Sequence, residues 1–573
     1  MSIFGTYFEK KFPRSTKNLS HDTIFDCGFG KCIPTCFEEL TPNDKHVFQH
    51  SQFVQPVSLV APAFSKIRVR QRTFAVPFHL IYGYDHLESF YADTKGEILE
   101  PYTTLGDLVQ ISTRDYWDPS VRIPVLSNGS LLDFMNVTTA EFNVASSLKS
   151  LSEPLASKKV SLVKAMSYLK VWNDWYRDDN YQVDLEPIFE IIHSLDTFPY
   201  VPASAVVNVA IYQDLEALPL LEYLFTPRMA NTGKDYFLGS LPSQQAGDPV
   251  RLPLGEEAEV FWKTYNTQYL TAGGEDISAY TVSTSDTKTN RFLANNLPDF
   301  AERRLVVDLA GATGLDIVHF RSLDAAQQYA ERNARGGQRL VEILRSRFNS
   351  KVPDAFLPRS IYVGGTVEDV KIDTIFASSA SGDQKLGDYA GRAYSAGSSQ
   401  FFYYHSFLPC MLVTMQTIVP VPAYFQGIRK DNCRLTVFDK VAPEFAHVGE
   451  QPVMSDEFYV NLMYSSGYNK DAIWGYDPRY SDWMVHLDEV HGSFRDSLRT
   501  WHTALTLDYV DSNNNPVQNL EVTPQLLTQN YYRDAQRIFT VTPNYEFLSL
   551  PFRCCVHFTE YKTTCLPKHP RSY

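Results

Sequence analysis

Residues 64–76, with the sequence FSKIRVRQRTFAV, alternate between largely apolar and basic side chains. Side chains on a β-strand point alternately to two faces, so a period of two predicts a strand with one buried face. The predicted buried face holds Ile67, Val69, Thr73 and Ala75. The opposite face holds four cations, Lys66, Arg68, Arg70 and Arg72. Because like charges repel, this face needs compensation by water, by carboxylates of a neighbouring strand, by a partner subunit or by DNA phosphates.

Proline and glycine interrupt the whole chain rather than one part of it. The 33 prolines and 28 glycines separate short runs that are rich in the 37 phenylalanines and 34 tyrosines. Aromatic residues favour pleated, half-buried surfaces, whereas proline and glycine favour turns. The sequence therefore predicts a mainly β fold of many short strands joined by ordered loops, and its length is ample for a large core.

Two segments show helical periodicity instead. In residues 161–176, apolar side chains recur every three or four positions, which predicts a helix that buries one stripe in the core or in a subunit interface. Residues 322–348 predict a second helical region, with Ser322 as its N-cap. Gly336-Gly337 interrupts this region, and such a pair indicates a kink or a close approach of neighbouring segments.

The net charge of −14 argues against a protein that coats nucleic acid over its whole surface. Both ends of the chain are nevertheless locally basic. The cations near the start are Lys10, Lys11, Arg14 and Lys17, and those near the end include Lys568 and Arg571. Two hypotheses are open for these ends, solvated tails or basic arms that face a polyanion.

No pattern in the sequence predicts catalysis or a bound cofactor. Motifs for serine hydrolases, zinc proteases and nucleotide-binding loops are missing. Asp178 and Asp179 are adjacent carboxylates, but neighbouring helix positions do not face each other, so a solvated helix end is favoured over a glycosidase pair. The start of the chain lacks the apolar segment of a signal peptide, and no apolar run is long enough to predict a membrane helix.

Three of the eight cysteines, Cys27, Cys32 and Cys36, lie close together in the sequence. Their C-x4-C-x3-C spacing departs from that of a zinc knuckle, although His21 and His46 flank them. Ordinary buried thiols are therefore favoured over a metal site. The low cysteine density predicts no disulfide framework.

Three longer stretches resemble the motifs of one viral family. They are YLKVWNDWYRDDN at 168–180, RMANTGKDYFLGSLP at 228–242 and AERNARGGQRLVEIL at 330–344. Weaker matches follow in the family order as far as Trp501-His502, and Leu340 replaces a usual family tyrosine. In these motifs the chain resembles the major capsid proteins of microviruses, small tailless phages with single-stranded DNA, and most closely the gokushovirus branch.

The resemblance implies an eight-stranded antiparallel jelly roll of the viral capsid type, with long loop insertions that contain a few helices. Residues 1–573 would form a single capsid domain, and residues 245–315 would form a surface protrusion within it. Sixty copies would build a T=1 icosahedral shell. The motif residues with an implied structural or interface role are Trp172, Trp175, Tyr176, Arg177, Asp235, Tyr236, Phe237, Arg335, Gly336, Gly337 and Arg339.

The resemblance also implies partners. The shell would enclose circular single-stranded DNA, which is bound through positive charge and exposed aromatic faces. The candidate DNA-facing residues are Lys10, Lys11, Arg14, Lys17, Lys66, Arg68, Arg70, Arg72, Lys568 and Arg571. Further implied partners are a small basic DNA-binding protein, an internal scaffolding protein, a DNA pilot protein and a host-cell surface receptor.

The chain would then be a structural component of the virion, not an enzyme, and it would assemble in the cytoplasm of a bacterial host. The same aromatic-rich, turn-rich composition leaves an alternative, a β-sandwich carbohydrate-binding protein or glycoside hydrolase. A cellular assembly protein of the jelly-roll type is a third hypothesis. A monomeric product that binds sugar would favour the carbohydrate alternative.

Overall fold

Two antiparallel sheets face each other at the centre of the computed structural model. The larger sheet has seven strands: β1 (Ser15–Asn18), β2 (His21–Cys27), β4 (Lys45–Pro56), β13 (Lys371–Phe376), β14 (Tyr389–Ser398), β15 (Phe402–His405) and β19 (Phe552–Thr564). The smaller sheet has four: β3 (Ile33–Leu40), β5 (Ile67–Pro77), β12 (Ile361–Asp369) and β16 (Cys410–Pro420). Contacts between the sheets include Thr73 Oγ1 to His50 Nε2 at 3.2 Å and Lys562 Nζ to Glu38 at 2.8 Å. The prediction of a mainly β fold is confirmed.

The structure describes seventeen stretches of the chain and two isolated positions. The described residues are 14–92, 95, 98–112, 125–139, 152–182, 184–207, 218–231, 233–245, 260–264, 303–307, 317–336, 339–349, 353, 357–376, 389–446, 449–460, 472–507, 531–540 and 550–564. The chain divides into two units, residues 1–244 with 336–573 and residues 245–335, and both large sheets belong to the first unit. The predicted DNA-facing residues Lys10, Lys11, Lys568 and Arg571 lie outside the described residues.

Helices and shorter strand pairs lie in the connections of the first unit. Its helices are α1 (His79–Tyr82), α2 (Tyr84–Ala92), α3 (Leu105–Ser112), α4 (Leu131–Phe134), α5 (Glu153–Ala156), α6 (Val163–Trp175), α7 (Glu186–His193), α8 (Leu220–Phe225), α10 (Leu340–Phe348), α11 (Ser455–Phe458), α12 (Ser481–Met484) and α13 (Tyr531–Ala535). Three antiparallel pairs are β6 (Tyr102–Thr104) with β7 (Lys159–Ser161), β8 (Val206–Val207) with β9 (Leu218–Pro219) and β17 (Glu450–Met454) with β18 (Ile473–Pro478). The first unit also has 3-10 turns at Lys430–Cys433, Val437–Asp439, Pro443–Phe445, Gly492–Arg495, Arg499–Trp501 and Gln536–Ile538.

The second unit contains β10 (Val260–Thr264), which pairs with β11 (Arg303–Val307), and helix α9 (Ile317–Gly336), whose last residue belongs to the first unit. Most of the predicted protrusion at 245–315 lies outside the described residues, so its role stays a prediction. In the described part of the chain, no helix combines the length and apolar character that crossing a membrane requires.

Strand β5 confirms the strand predicted within residues 64–76. It pairs with β12 on one side and β16 on the other, so it is a central strand. All four residues of its predicted inner face are buried, and Arg68, Arg70 and Arg72 lie half-buried or exposed on the opposite face. At the far end of that opposite face, Phe74 is buried as well, because its ring packs 5.5 Å from the ring of Trp175 on α6.

Helix α6 confirms the helix predicted at 161–176, but it is buried on all sides rather than along one stripe. Lys170, Asn173 and Asp174 are as inaccessible to solvent as the apolar side chains of the stripe. A buried charge is expensive unless a partner of opposite charge accompanies it. The polar face of α6 is therefore a structural site and not a solvated surface.

The second predicted helical region is present as α9 and α10, with an interruption between them. Helix α9 begins at Ile317, so the predicted N-cap, Ser322, lies inside the helix and that prediction is wrong. A side chain at Gly336 would place Cβ 2.7 Å from Ser346 Oγ, which confirms the predicted close approach. Arg335 is exposed on α9, and Gly337 lies outside the described residues.

A buried carboxyl in the first unit gives a testable pH dependence. Burial and repulsion from Glu450 raise the pKa of Asp477 on β18 to about 7, whereas the unfolded chain has a value near 3.8. The native state therefore holds this proton more tightly, and stability is lost as pH rises from about 4 through 7. Asp477→Asn should stabilise the chain by about 2 kcal/mol at pH 8, roughly half of the full shift because a buried amide is also unfavourable.

Urea unfolding of the full-length variant and wild type at pH 8 and pH 4.5 measures this difference. The advantage of Asp477→Asn should shrink as pH falls below 7 and vanish near pH 4. Asp373→Asn, on the exposed side of β13, serves as the control and should change stability little at either pH. An equal effect of Asp477→Asn at both pH values would show that Asp477 does not titrate in this way.

Candidate structural site and nucleic-acid surface

Lys170 and Asp174 lie one turn apart on α6 and form a buried ion pair, with 3.4 Å between Nζ and Oδ1. Lys170 Nζ also donates to the carbonyl oxygen of Pro358 at 3.1 Å and pairs with the carboxylate of Glu186. Asp174 Oδ2 accepts hydrogen bonds from Ser360 N at 2.7 Å and Ser360 Oγ at 2.8 Å. Burial raises the pKa of Asp174, and the ammonium of Lys170 opposes this increase. The pair therefore ties α6 and α7 to the segment that precedes β12.

Arg339 joins the two motifs that the resemblance emphasises. Its Nη2 donates to the carbonyl oxygen of Asn173 at 2.5 Å and to Asp179 Oδ1 at 2.9 Å. Its Nη1 donates to the carbonyl oxygen of Asp174, at the end of α6. Asp179 Oδ1 also accepts from Arg177 Nη2 at 2.8 Å. One guanidinium thus satisfies carbonyls at the C-terminus of α6 and a carboxylate beyond it, as expected for a cation at this helix end.

The expectation that Asp178 and Asp179 form a solvated helix end is wrong. Only 7% of Asp178 is exposed, and the Asp179 side chain is 15% exposed. Asp178 Oδ1 accepts from the backbone N–H of Asn180 at 2.9 Å, while Asp179 is held by its two arginines. Both carboxylates are engaged in local structure rather than presented as a glycosidase pair.

The aromatic residues of the first motif anchor α6 to other segments. Trp172 Nε1 donates to the carbonyl oxygen of Met229 at 2.7 Å, and Trp175 Nε1 donates to Ser360 Oγ at 3.0 Å. Tyr176 is buried directly after them. Because each indole N–H finds an acceptor in a distant part of the chain, these side chains fix the position of the helix and do not line a ligand site.

The second motif forms another internal cluster. Asp235 Oδ1 accepts from the backbone N–H of Phe237 at 3.0 Å, and its Oδ2 accepts from Tyr424 at 2.5 Å. Tyr236 donates to Glu457 Oε2 at 2.8 Å. The ring of Phe237 packs 4.9 Å from that of Tyr424. Burial raises the pKa of Asp235, and these hydrogen bonds oppose the increase. The cluster is structural, like the one around α6.

Two cations of the basic strand already have carboxylate partners. Lys66 Nζ lies 3.3 Å from Asp488 Oδ2, and Arg68 Nε lies 3.7 Å from Asp369 Oδ1 on β12. All four side chains are well exposed, so these pairs are weak and exchangeable. Of the compensations left open by the sequence, neighbouring carboxylates account for these two residues.

Arg70 and Arg72 are different. Neither guanidinium forms an ion pair with a carboxylate among the described residues. Burial and repulsion from Arg72 lower the pKa of Arg70. A side chain at Gly365, opposite Arg72 on β12, would bring Cβ to 3.0 Å from Arg72 Cα and to 2.3 Å from the carbonyl oxygen of Gln71. Glycine at this position allows β12 to pack closely beside β5, where both arginines are half-buried near the buried side chain of Tyr176.

The described residues of the basic chain start lie at the edge of the larger sheet. Arg14 is exposed and donates to the carbonyl oxygen of Asn43. Lys17 lies on β1 opposite Lys562 of β19. Strand β1 therefore places Lys17 beside another cation, which favours neither of the two hypotheses for this end.

The three neighbouring cysteines point to different partners. Cys27 Sγ lies 3.5 Å from Cys554 Sγ, and Cys36 Sγ lies 3.7 Å from the carboxylate of Glu560. Cys32 is buried in the core beside α6. Burial raises the pKa of all three thiols. Within the described ranges, no group of three or more histidine, cysteine, aspartate or glutamate side chains could hold a metal ion.

Sequence reasoning missed Lys170, Asp174 and Ser360 as site residues. The signal for the first two was present, because a lysine and an aspartate four positions apart in a predicted helix are spaced to form a pair. Nothing in the sequence links Ser360 to α6 across 186 positions. The periodicity of residues 161–176 predicted only that the apolar stripe would be buried.

The two facing sheets, and motif side chains that bind one another, define a structural β-sandwich protein. The family model described as Capsid protein (F protein) matches residues 8–552, and the chain belongs to this family. It is thus a structural major capsid protein and a component of the virion, which confirms the microvirus resemblance and the expectation that it is not an enzyme.

Three relatives named Capsid protein VP1 align over most of their lengths. The chain is 26% identical to that of Bdellovibrio phage phiMH2K over 543 residues, which cover 89% of this chain and 90% of the relative. It is 24% identical to that of Chlamydia phage 1, covering 85% and 86% of the two chains. It is also 24% identical to that of Spiroplasma virus 4, covering 87% and 86%. The likeness therefore extends through the whole fold, not only the motifs.

Proposed function

We propose that sixty copies of this chain assemble into a T=1 icosahedral shell around circular single-stranded DNA. The observation that carries the proposal is the capsid family match over residues 8–552, almost the full chain. Copies of one chain close into a shell when the rotation at each contact closes rather than propagates. Assembly would take place in the cytoplasm of a bacterial host.

The two facing sheets would correspond to an eight-stranded jelly roll, with additional strands at its edges and long connections that carry the helices. Residues 1–573 would act as one capsid domain. The segment at 245–315 would form a surface protrusion that contacts a host-cell receptor, since exposed loops on a rigid scaffold carry binding. A small basic DNA-binding protein, an internal scaffolding protein and a DNA pilot protein would complete the set of partners.

Arg70 and Arg72, which are half-buried, support a DNA-facing role for their face of β5. Their two guanidiniums repel each other and have no carboxylate partner in the described chain, whereas phosphates would neutralise both. Side chains two apart on a strand lie about 6.6 Å from each other, so the pair can contact successive parts of an extended backbone. Lys66 and Arg68 would extend this surface if phosphates displaced their exposed carboxylate partners.

The packaging proposal is tested on material from producing cells. Analytical ultracentrifugation and nuclease digestion of the purified protein should yield uniform particles that retain nuclease-resistant single-stranded DNA. Particles that contain double-stranded DNA, or no nucleic acid under any preparation, would contradict the proposal. A soluble monomer that binds sugar would instead favour the carbohydrate-binding alternative.

Arg70→Gln with Arg72→Gln should weaken the salt-sensitive binding of the full-length chain to a thymidine oligonucleotide. Loss of two phosphate contacts lowers the slope of log affinity against log salt by about 1.4, because each contact on a single strand contributes about 0.7. Fluorescence anisotropy across a salt series measures the slope. Lys66→Gln with Arg68→Gln removes the same charge from the same strand and should change the slope less, since both cations have carboxylate partners.

A further inference from the structure

Phe64 is an exposed aromatic residue at the start of the basic strand segment. It is 75% exposed, whereas phenylalanines such as Phe74 and Phe552 are buried. Its ring lies 5.7 Å from the ring of Trp501 and 6.1 Å from that of Phe494. Its backbone N–H donates to the carbonyl oxygen of Trp501 at 2.7 Å. Phe64 therefore has a defined position and presents most of its ring to solvent.

Arg537 and His502 hold together the two turns that carry Phe494 and Trp501, against which Phe64 packs. Arg537 donates from Nε to the carbonyl oxygen of Arg499 at 3.0 Å and from Nη2 to that of His502 at 2.9 Å. His502 Nε2 lies 2.7 Å from the carbonyl oxygen of Phe494. The turns that carry Phe494 and Trp501 are thus cross-linked by hydrogen bonds. An aromatic side chain whose supporting turns are already fixed loses little conformational entropy when it binds a ligand.

Cations surround this aromatic cluster. Arg495 Nε donates to the carbonyl oxygen of Val490 at 2.8 Å, and Arg499 Nε donates to that of Arg495 at 3.2 Å. These bonds leave the outer guanidinium nitrogens available, and neither arginine pairs with a carboxylate among the described residues. Lys66, two positions after Phe64 and directly before β5, is exposed as well, and it pairs with Asp488.

We infer that Phe64, supported by Phe494 and Trp501, stacks on a base of single-stranded DNA whose phosphates contact Arg495 and Arg499. This inference rests on the proposed packaging function. Sites for single strands combine aromatic faces with a basic track, because every base has a face that stacks and every phosphate carries a charge. The track would run from Phe64 through Lys66 to the cations of β5.

An apolar contact with a second copy of the chain is the competing explanation for an exposed phenylalanine. It leaves the two arginines beside the ring without a counter-charge among the described residues, whereas DNA phosphates would neutralise both. The two explanations also differ in chemistry. Stacking requires an aromatic face, whereas an apolar contact requires only apolar bulk.

Ultraviolet crosslinking of intact DNA-filled particles, followed by mass spectrometry of the nuclease-treated peptides, tests the inference directly. Nucleotide adducts on peptides that contain Phe64 or Trp501 are the expected result. Particles that contain single-stranded DNA but carry adducts only on other peptides would overturn the stacking site and leave the packaging function intact. Particles without single-stranded DNA would overturn the packaging function and this inference with it.

Phe64→Leu and Phe64→Tyr separate stacking from an apolar contact. Binding of a thymidine oligonucleotide of about 16 nucleotides to the full-length chain should weaken about tenfold or more in Phe64→Leu and stay within about twofold of wild type in Phe64→Tyr. Phe407→Leu, at a phenylalanine that is 79% exposed elsewhere, is the matched control and should bind like wild type. Unchanged DNA binding by Phe64→Leu would overturn the inference, and a fall in shell yield alone would assign Phe64 to a subunit contact.

Discussion

Replacing Lys170 by methionine is expected to destabilise the folded chain by about 3–5 kcal/mol, because it leaves the carboxylate of Asp174 buried without its cation. Both side chains are almost inaccessible, at 2% and 5% exposure, and lie 3.4 Å apart. The ammonium also contacts Glu186 and the carbonyl oxygen of Pro358, so three segments lose a shared partner. The unfolding midpoint of the full-length chain in urea and the yield of particles measure the effect.

Two further variants define how Lys170 acts. Adding Asp174→Asn to Lys170→Met should recover part of the lost stability, because the uncompensated charge is removed together with its partner. Lys164→Met on the same helix should cost less than about 1 kcal/mol, since Lys164 is half-buried and has no described carboxylate partner. A Lys170→Met variant as stable as the Lys164→Met control would contradict the structural role assigned to the pair.

Gly427→Ala is expected to prevent normal folding, because it should lower the free energy of unfolding by at least about 3 kcal/mol. A Cβ at this position would lie 1.9 Å from the carbonyl oxygen of Glu457 and 2.4 Å from its carbonyl carbon, so backbone and not a flexible side chain would have to move. Displacement of Glu457 would also disturb its hydrogen bonds from Tyr236 Oη and from Met454 N. Soluble yield and the urea midpoint of the full-length variant measure the loss.

Gly233→Ala is the matched control for Gly427→Ala. Among the described residues, no atom beyond the chain neighbours of Gly233 lies within 4 Å of a Cβ built there, and its backbone is not left-handed, so alanine should be tolerated. If Gly427→Ala yielded as much soluble, stable protein as Gly233→Ala, the close approach of the two segments would not be a real constraint on the fold.

Local periodicity predicted the elements whose own residues carry a regular hydrophobic pattern. Strand β5 follows from its alternation of two, and α6 follows from apolar residues at steps of three and four. The interruption at Gly336 marked the boundary between α9 and α10. These predictions succeed because the hydrophobic pattern that buries one face is itself the local signal.

Contacts between side chains that are far apart in the sequence could not be predicted from local patterns. Arg339 meets Asp179 across 160 positions, and Asp174 meets Ser360 across 186. The position of Asp178 and Asp179 at the end of a predicted helix favoured solvated side chains, but Asp179 is largely buried and is neutralised by Arg177 and Arg339. The motif resemblance identified Arg339 and the tryptophans, but only the structure shows that they bind one another.

The basic surface was predicted in part. The alternation of residues 64–76 placed four cations on one face, but it could not distinguish Arg70 and Arg72 from Lys66 and Arg68. Lys66 and Arg68 differ because each pairs with a carboxylate, Asp488 of a distant loop and Asp369 of β12 respectively. Phe64 carried no special signal, because the partners that fix its position lie more than four hundred residues further along the chain.

Electron cryomicroscopy of particles purified from producing cells is the most direct test of the central claim that this chain builds a closed viral shell. The expected result is uniform icosahedral particles of sixty copies, with the β-sandwich as the repeating unit and the face that carries Arg70 and Arg72 turned toward internal single-stranded DNA. A stable monomer or dimer that forms no shell, even when a scaffolding partner is co-expressed, would contradict it.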